Sequence, residues 1–199
     1  MSVNIILFLV FCSSLGLCRG QGGGGAGAPS DDSEYILIFE SSIFPTADEE
    51  SLSSMNTSGL EVVSFNETIS TISGVMWILK ELPESHFRIV VIVKKEVSGK
   101  FEVVLTKEIC DLCEELHVDS EHWKYIRYFG LPPQCPFPPG IYTVNGFAPH
   151  EDDLPLNSGS AARYIITIMI YHNKDGDCDN YDNQIYLFSL ILNLAVEAL

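Results

Sequence analysis

The chain has 199 residues, with 27 acidic side chains against 11 basic ones and a formal net charge of −16. That surplus repels phosphate, which excludes nucleic acid as a partner and disfavours adsorption to an anionic membrane face. The apolar share of 46 % is high beside so much charge, so the apolar residues must be concentrated in strands or around a lined cavity.

Residues 5–17 form an apolar run that is too short for a membrane span of about 20 residues. The run has the length of a signal-peptide core, with the small residues Cys18 and Gly20 behind it. Residues 1–20 are therefore expected to be a signal peptide, cleaved after Gly20, and the protein is expected to be secreted and extracellular. Residues 21–33 are glycine-rich and bury nothing, which predicts a disordered leader. One folded domain is expected over 34–199.

The predicted elements follow in order. Residues 34–44 read as a strand ended by Pro45, and 46–59 as a polar loop. Residues 60–65 read as a second strand. Asn56-Thr57-Ser58 and Asn66-Glu67-Thr68 are glycosylation sequons, which makes Asn56 and Asn66 candidate surface acceptors in a secreted chain. Residues 74–82 fit strand or helix by pattern, and strand is preferred because 86–95 follows, rich in β-branched residues. A turn at 97–100 then leads to a partner strand, 101–106, with Phe101, Val103 and Leu105 on one face.

Between 107 and 129 the spacing of Ile109, Leu112, Cys113 and Leu116 becomes helical. Two short helices are expected with a break near 118–120, the second capped by Asp119 or Ser120. Five of the ten prolines fall in 129–139. Proline fixes φ and extends the residue before it, so 131–139 should be a stiff, non-helical approach to a strand at 141–147, with Cys135 in its middle. Residues 148–160 read as a loop, 163–172 as a strand, 173–183 as a hairpin connection and 184–195 as the last strand. The last two strands are apolar on both faces, so something must cover the second face: a cavity, a helix or a partner.

Cys110, Cys113, Cys135 and Cys178 remain once the signal has left. An even count in a secreted chain implies disulfides, with three possible pairings that sequence geometry does not decide between. Cys110-x-x-Cys113 followed by His117 is also a zinc half-site, with Cys135 or His122 as a further ligand, but bridged cysteines are the preferred reading. Asp175, Asp177, Asp179, Asn180 and Asp182 resemble a calcium loop out of register, since Asn180 stands where glycine and Tyr186 where glutamate should be. A solvated hairpin tip explains them better. Ser158-Gly159-Ser160 near His150 lacks the setting of a nucleophile. No cofactor, no metal and no catalytic residue are expected.

Residues 108–112, followed by Tyr128-Phe129-Gly130-Leu131-Pro132-Pro133-Gln134-Cys135-Pro136-Phe137-Pro138-Pro139-Gly140-Ile141-Tyr142, resemble the ganglioside-activator group of the ML (lipid-recognition) family. The insect secreted proteins of the chemosensory B type are the nearer likeness, because no cysteine lies between Arg19 and Ile109 to form the activator's end-to-end staple. The resemblance implies an all-β fold, an immunoglobulin-like β-sandwich or β-cup with a short helical insert at about 108–129, around an apolar pocket. It implies a Cys110–Cys135 disulfide, leaving Cys178 to pair with Cys113 or to stay free.

The expected function is that of a carrier for a lipid or other apolar small molecule, with a role in chemosensation. Phe87, Ile89, Val91, Phe101, Val103, Tyr164, Ile166, Ile168, Phe188 and Leu190 are the expected pocket walls. The alternative is a receptor-binding module of the same fold, with a membrane receptor as partner and a solid core.

Overall fold

The computed structural model describes residues 35–64, 70–148, 158–177 and 179–198. The expected signal peptide, the glycine-rich leader, Asn66, His150 and Cys178 lie outside them. Among the described residues the fold is an all-β sandwich of two antiparallel sheets. The larger sheet runs β1 (Tyr35–Phe39), β9 (Gln184–Ala198), β8 (Ala162–Asn173), β5 (Phe87–Val97), β6 (Lys100–Ile109), with the two-residue β2 (Phe44–Pro45) also paired to β9. The smaller sheet runs β3 (Met55–Ser64), β4 (Ser70–Ile78), β7 (Gly140–Phe147). No helix among the described residues is long and apolar enough to cross a membrane.

Strand β5 shows how the sequence builds this core. Phe87, Val91 and Val93 are buried on its inner face, as period-two alternation requires. The turn to β6 places Ser98 and Gly99 at φ 52° and 77°, the paired positive values that match the twist of a tight hairpin.

Phe101 and Val103 do not join the inner face. Val93 pairs with Leu105, but Lys94 pairs with Val103, so Val104 is an extra residue in β6. One inserted residue reverses the side-chain alternation beyond it. Val103 and Phe101 therefore point outward with Lys94 and Glu96, at 58 % and 39 % exposure, and are not pocket walls.

Strands β8 and β9 are apolar on both faces, as their sequences require. Tyr164, Ile166, Ile168 and Ile170 lie opposite Leu194, Leu192, Leu190 and Phe188 on the inner face. On the other face Ile165, Met169 and Ile191 are half-buried.

The expected loop at 46–59 contains a helix, α1 (Glu49–Ser54), and the first half of β3. Asp48 caps the helix by accepting from the Ser51 amide at 2.9 Å. Its carboxylate also takes the hydroxyls of Thr46, Ser51 and Tyr186. Ser51 Oγ in turn accepts from the Ser189 amide at 2.8 Å. This cluster docks α1 on β9 where the sheet edge would otherwise lack a partner.

The insert between β6 and β7 holds α2 (Leu112–Glu115), α3 (Trp123–Ile126) and a 3-10 turn at Arg127–Phe129. Ser120 Oγ accepts from the Trp123 amide at 3.2 Å, but the N-cap position of α3 is His122, which makes no side-chain capping bond, and not the expected Asp119 or Ser120. Gly130, at φ 64°, turns the chain against β7, and a Cβ there would lie 2.9 Å from the Thr143 carbonyl oxygen.

The expected disulfide is corrected here. Cys135 bonds to Cys113, not to Cys110, with the Cα atoms 5.5 Å apart. Ile109 is buried at the end of β6 and Cys110 faces the opposite, exposed side. Cys113, one position into α2, packs inward beside Leu112 and Cys135. The alternative Cys113–Cys178 pairing is excluded by the same bond. Cys110 is itself disulfide-bonded, to a residue outside those described.

Candidate ligand cavity

Two apolar clusters fill the sandwich. One is centred on Ile72, Val93, Val144 and Tyr164, the other on Ile78, Phe87, Leu112 and Phe188. Between the sheets, mostly against the second cluster, lies a cavity of about 170 Å³.

The larger sheet supplies Phe87 and Ile89 from β5, Ile168 and Ile170 from β8, and Phe188 and Leu190 from β9. The smaller sheet supplies Met55, Thr57 and Leu60 from β3, with Met76 and Ile78 from β4. The insert closes one end with Leu112, Ile126, Phe129, Leu131 and Phe137. Phe137 packs on Phe87 with ring centroids 5.9 Å apart. The Cys113–Cys135 bond ties α2 to the proline-rich strap carrying Phe137, so the closing wall is cross-linked to itself.

Five of the ten expected wall residues line this cavity: Phe87, Ile89, Ile168, Phe188 and Leu190. Val91, Tyr164 and Ile166 are buried one step further along the same strands, in the first cluster. Tyr164 is anchored there by donating its hydroxyl to the Ser160 carbonyl at 2.8 Å, and burial pushes its pKa up to about 12. Phe101 and Val103 are outside.

The sequence reading missed every wall from the smaller sheet and the insert. The alternation of Met76 and Ile78 and the helical spacing of Leu112 were visible signals, but nothing local says that those faces meet the larger sheet.

Among the described residues no charged side chain lines the cavity, and Thr57 is the one polar residue of its walls. Ile43, Met55, Thr57 and Leu60 line a second space as well, an outer groove of about 620 Å³ beside Ser41, Ser42, Phe44 and Leu52. These four side chains, each buried, separate the cavity from the groove. The groove follows the seam where β2, at the edge of the larger sheet, meets β3, at the edge of the smaller one. Asn56 is exposed on that strand rather than in a loop, and borders the groove.

The rival chemistries meet specific obstacles. Cys110, Cys113 and Cys135 are all disulfide-bonded, so no thiolate remains at the insert to hold zinc. His122 is instead bonded to Glu115 at 2.8 Å. Asp175 spends its carboxylate on the Asn180 and Asn183 amides at 2.9 and 2.7 Å. Ser160 is fully buried.

One buried charge was not anticipated. Arg88, 2 % exposed, pairs with Glu108 at 2.5 Å and lies 4.3 Å beneath the ring of Tyr181. It faces away from the cavity with Tyr171, its partner on β8.

No protein-family model matches the chain, and no curated protein matches it.

Proposed function

We propose that this protein is a secreted carrier of a lipid or other apolar small molecule, of the ML type, that works by burying its ligand between the two sheets. The observation that carries this reading is the apolar cavity among Phe87, Ile168, Phe188 and the smaller sheet's Met76.

Size constrains the ligand. An apolar cavity of about 150 Å³ stays dry and takes a benzene-sized group, so about 170 Å³ holds about six carbons. At about 0.8 kcal/mol per buried CH₂ those contribute roughly 5 kcal/mol, which alone corresponds to about millimolar binding. Useful affinity therefore calls for a ligand longer than the cavity, continuing toward the outer groove. Nothing in the site supports a catalytic reading, and we take the protein as a binder. A glycan on Asn56 is part of the same proposal, since its side chain faces solvent on an edge strand.

The test is native mass spectrometry of the secreted protein, combined with titration by the neutral dye Nile red. A co-purified lipid, or saturable dye binding lost in Ile168→Phe, supports the carrier. An empty protein that binds no dye removes this reading.

The second reading, a receptor-binding module, draws on a different observation. The outer face of the larger sheet carries half-buried Val90, Ile92, Ile165 and Met169 with exposed Val103, an apolar band of the kind that marks interaction surfaces.

A further inference from the structure

The cavity and the outer groove are separated by one layer of four side chains, Ile43, Met55, Thr57 and Leu60. Two of its features suit passage. It lies on the seam between β2 and β3, strands that belong to different sheets, so parting them breaks no ladder hydrogen bonds. Met55, unbranched and with three rotatable side-chain bonds, adapts its shape at low energetic cost. Phe44, Leu52 and Leu79 are exposed around the groove, which supplies apolar surface outside the layer as well as inside it.

The chemistry of the groove selects the ligand's other end. Its polar residues are Ser41, Ser42, Asn56, Thr57 and Ser58, and no charged side chain lines it. Ser41 Oγ accepts from Asn193, and Asn56 Oδ1 from the Ser58 amide. The Ser42 hydroxyl oxygen is buried with no hydrogen-bond partner among the described residues, a state that costs free energy unless something fills it. Lys80, next to the groove residue Leu79, is held by Ser53 Oγ at 2.5 Å. The groove lining offers an anionic head no cation, Lys80 lying just outside it, and offers a cationic head no carboxylate. Burying either charge unpaired is costly.

We infer that the β2–β3 seam is the entrance to the cavity and that the ligand is a neutral amphiphile, its aliphatic chain passing Met55 and its uncharged hydroxyl, ester or amide head bonded at Ser42 and Thr57. This rests on the carrier reading above. It adds that head-group charge decides what is carried.

The experiment displaces Nile red from the full secreted protein at neutral pH with decan-1-ol, decanoate and decyltrimethylammonium, which share one chain length. Decan-1-ol is expected to act at concentrations at least about tenfold below either ion. Ser42→Ala, a one-atom change at the orphan hydroxyl, is expected to bring the three ligands closer together, which separates hydrogen bonding at the head from the alcohol's greater general hydrophobicity. Met55→Trp is expected to slow dye uptake, and should it fail to fold, the exposed pair Leu52→Glu and Leu79→Glu is read for the same slowing. If an ion matches decan-1-ol, or Ser42→Ala leaves the preference intact, the head-group assignment is wrong while the carrier reading stands. Uptake rates unchanged in the seam variants overturn the entrance. Absence of any dye binding by the unaltered protein instead removes the carrier reading itself.

Discussion

Cys113 and Cys135 are bonded across 22 residues of sequence, and the bond joins α2 to the strap that carries Phe137 over the cavity. A disulfide closing a loop of this length contributes about 3 kcal/mol by limiting the unfolded chain. Cys113→Ser and Cys135→Ser should each lose roughly that much in urea denaturation of the secreted protein, and the double variant should lose no more than either single one. Loss of dye binding before global unfolding would show the strap loosening first.

Cys110 is also in a disulfide, and its partner can be deduced from the surroundings. His86 Nδ1 bonds Asp111 Oδ2 at 2.8 Å, which brings His86 beside Cys110 in the chain. Gly176 packs so tightly on the His86 ring that a Cβ would approach it to 3.0 Å. Cys178 is two residues beyond Gly176, so a Cys110–Cys178 bond is expected. Non-reducing peptide mapping should recover a fragment pair containing these two cysteines, and a free thiol at Cys178 would refute the pairing.

Gly74 sits at φ +126°, and a Cβ there would lie 2.1 Å from the carbonyl oxygen of Gly59. The pair allows β3 and β4 to approach at the irregularity in their register. Gly74→Ala should cost about 2 kcal/mol or more. Gly99, also at positive φ but with nothing within 4 Å of a built Cβ, is the control, and Gly99→Ala should cost only about 1 kcal/mol. Equal losses in thermal melts would mean that backbone angle, and not the close approach, sets the effect.

Asp48 holds α1 to β9. The Thr46 hydroxyl foremost, with Ser51 and Tyr186, lowers its pKa to about 2 against the opposing effect of burial. A carboxylate depressed in the folded state contributes stability that is complete above its unfolded value of 3.8 and is lost as pH falls through about 2. His172 adds an earlier acid effect: burial, with His86 beside it, lowers its pKa below 6.5, so charging it below that value opposes folding. Asp48→Asn should flatten the stability loss between pH 4 and pH 2 relative to the parent and leave the loss beginning near pH 6.5 in place. Stability curves in urea at stepped pH would show both limbs.

The all-β class, the order of the strands and the hairpin at Ser98-Gly99 follow from local chemistry: β-branched alternation, turn residues and proline punctuation act within a few residues. The same reasoning found the larger sheet's share of the cavity, because Phe87 and Ile168 announce their face by period two. It failed at Phe101 and Val103, where one extra residue in β6 inverted the face, and a bulge has no signature in composition. Which cysteines bond was decided in three dimensions, by Cys113 facing inward from α2 while Cys110 faced out from the end of β6. So was the seam between β2 and β3, because the two strands that border it are held by different sheets and meet through tertiary packing alone.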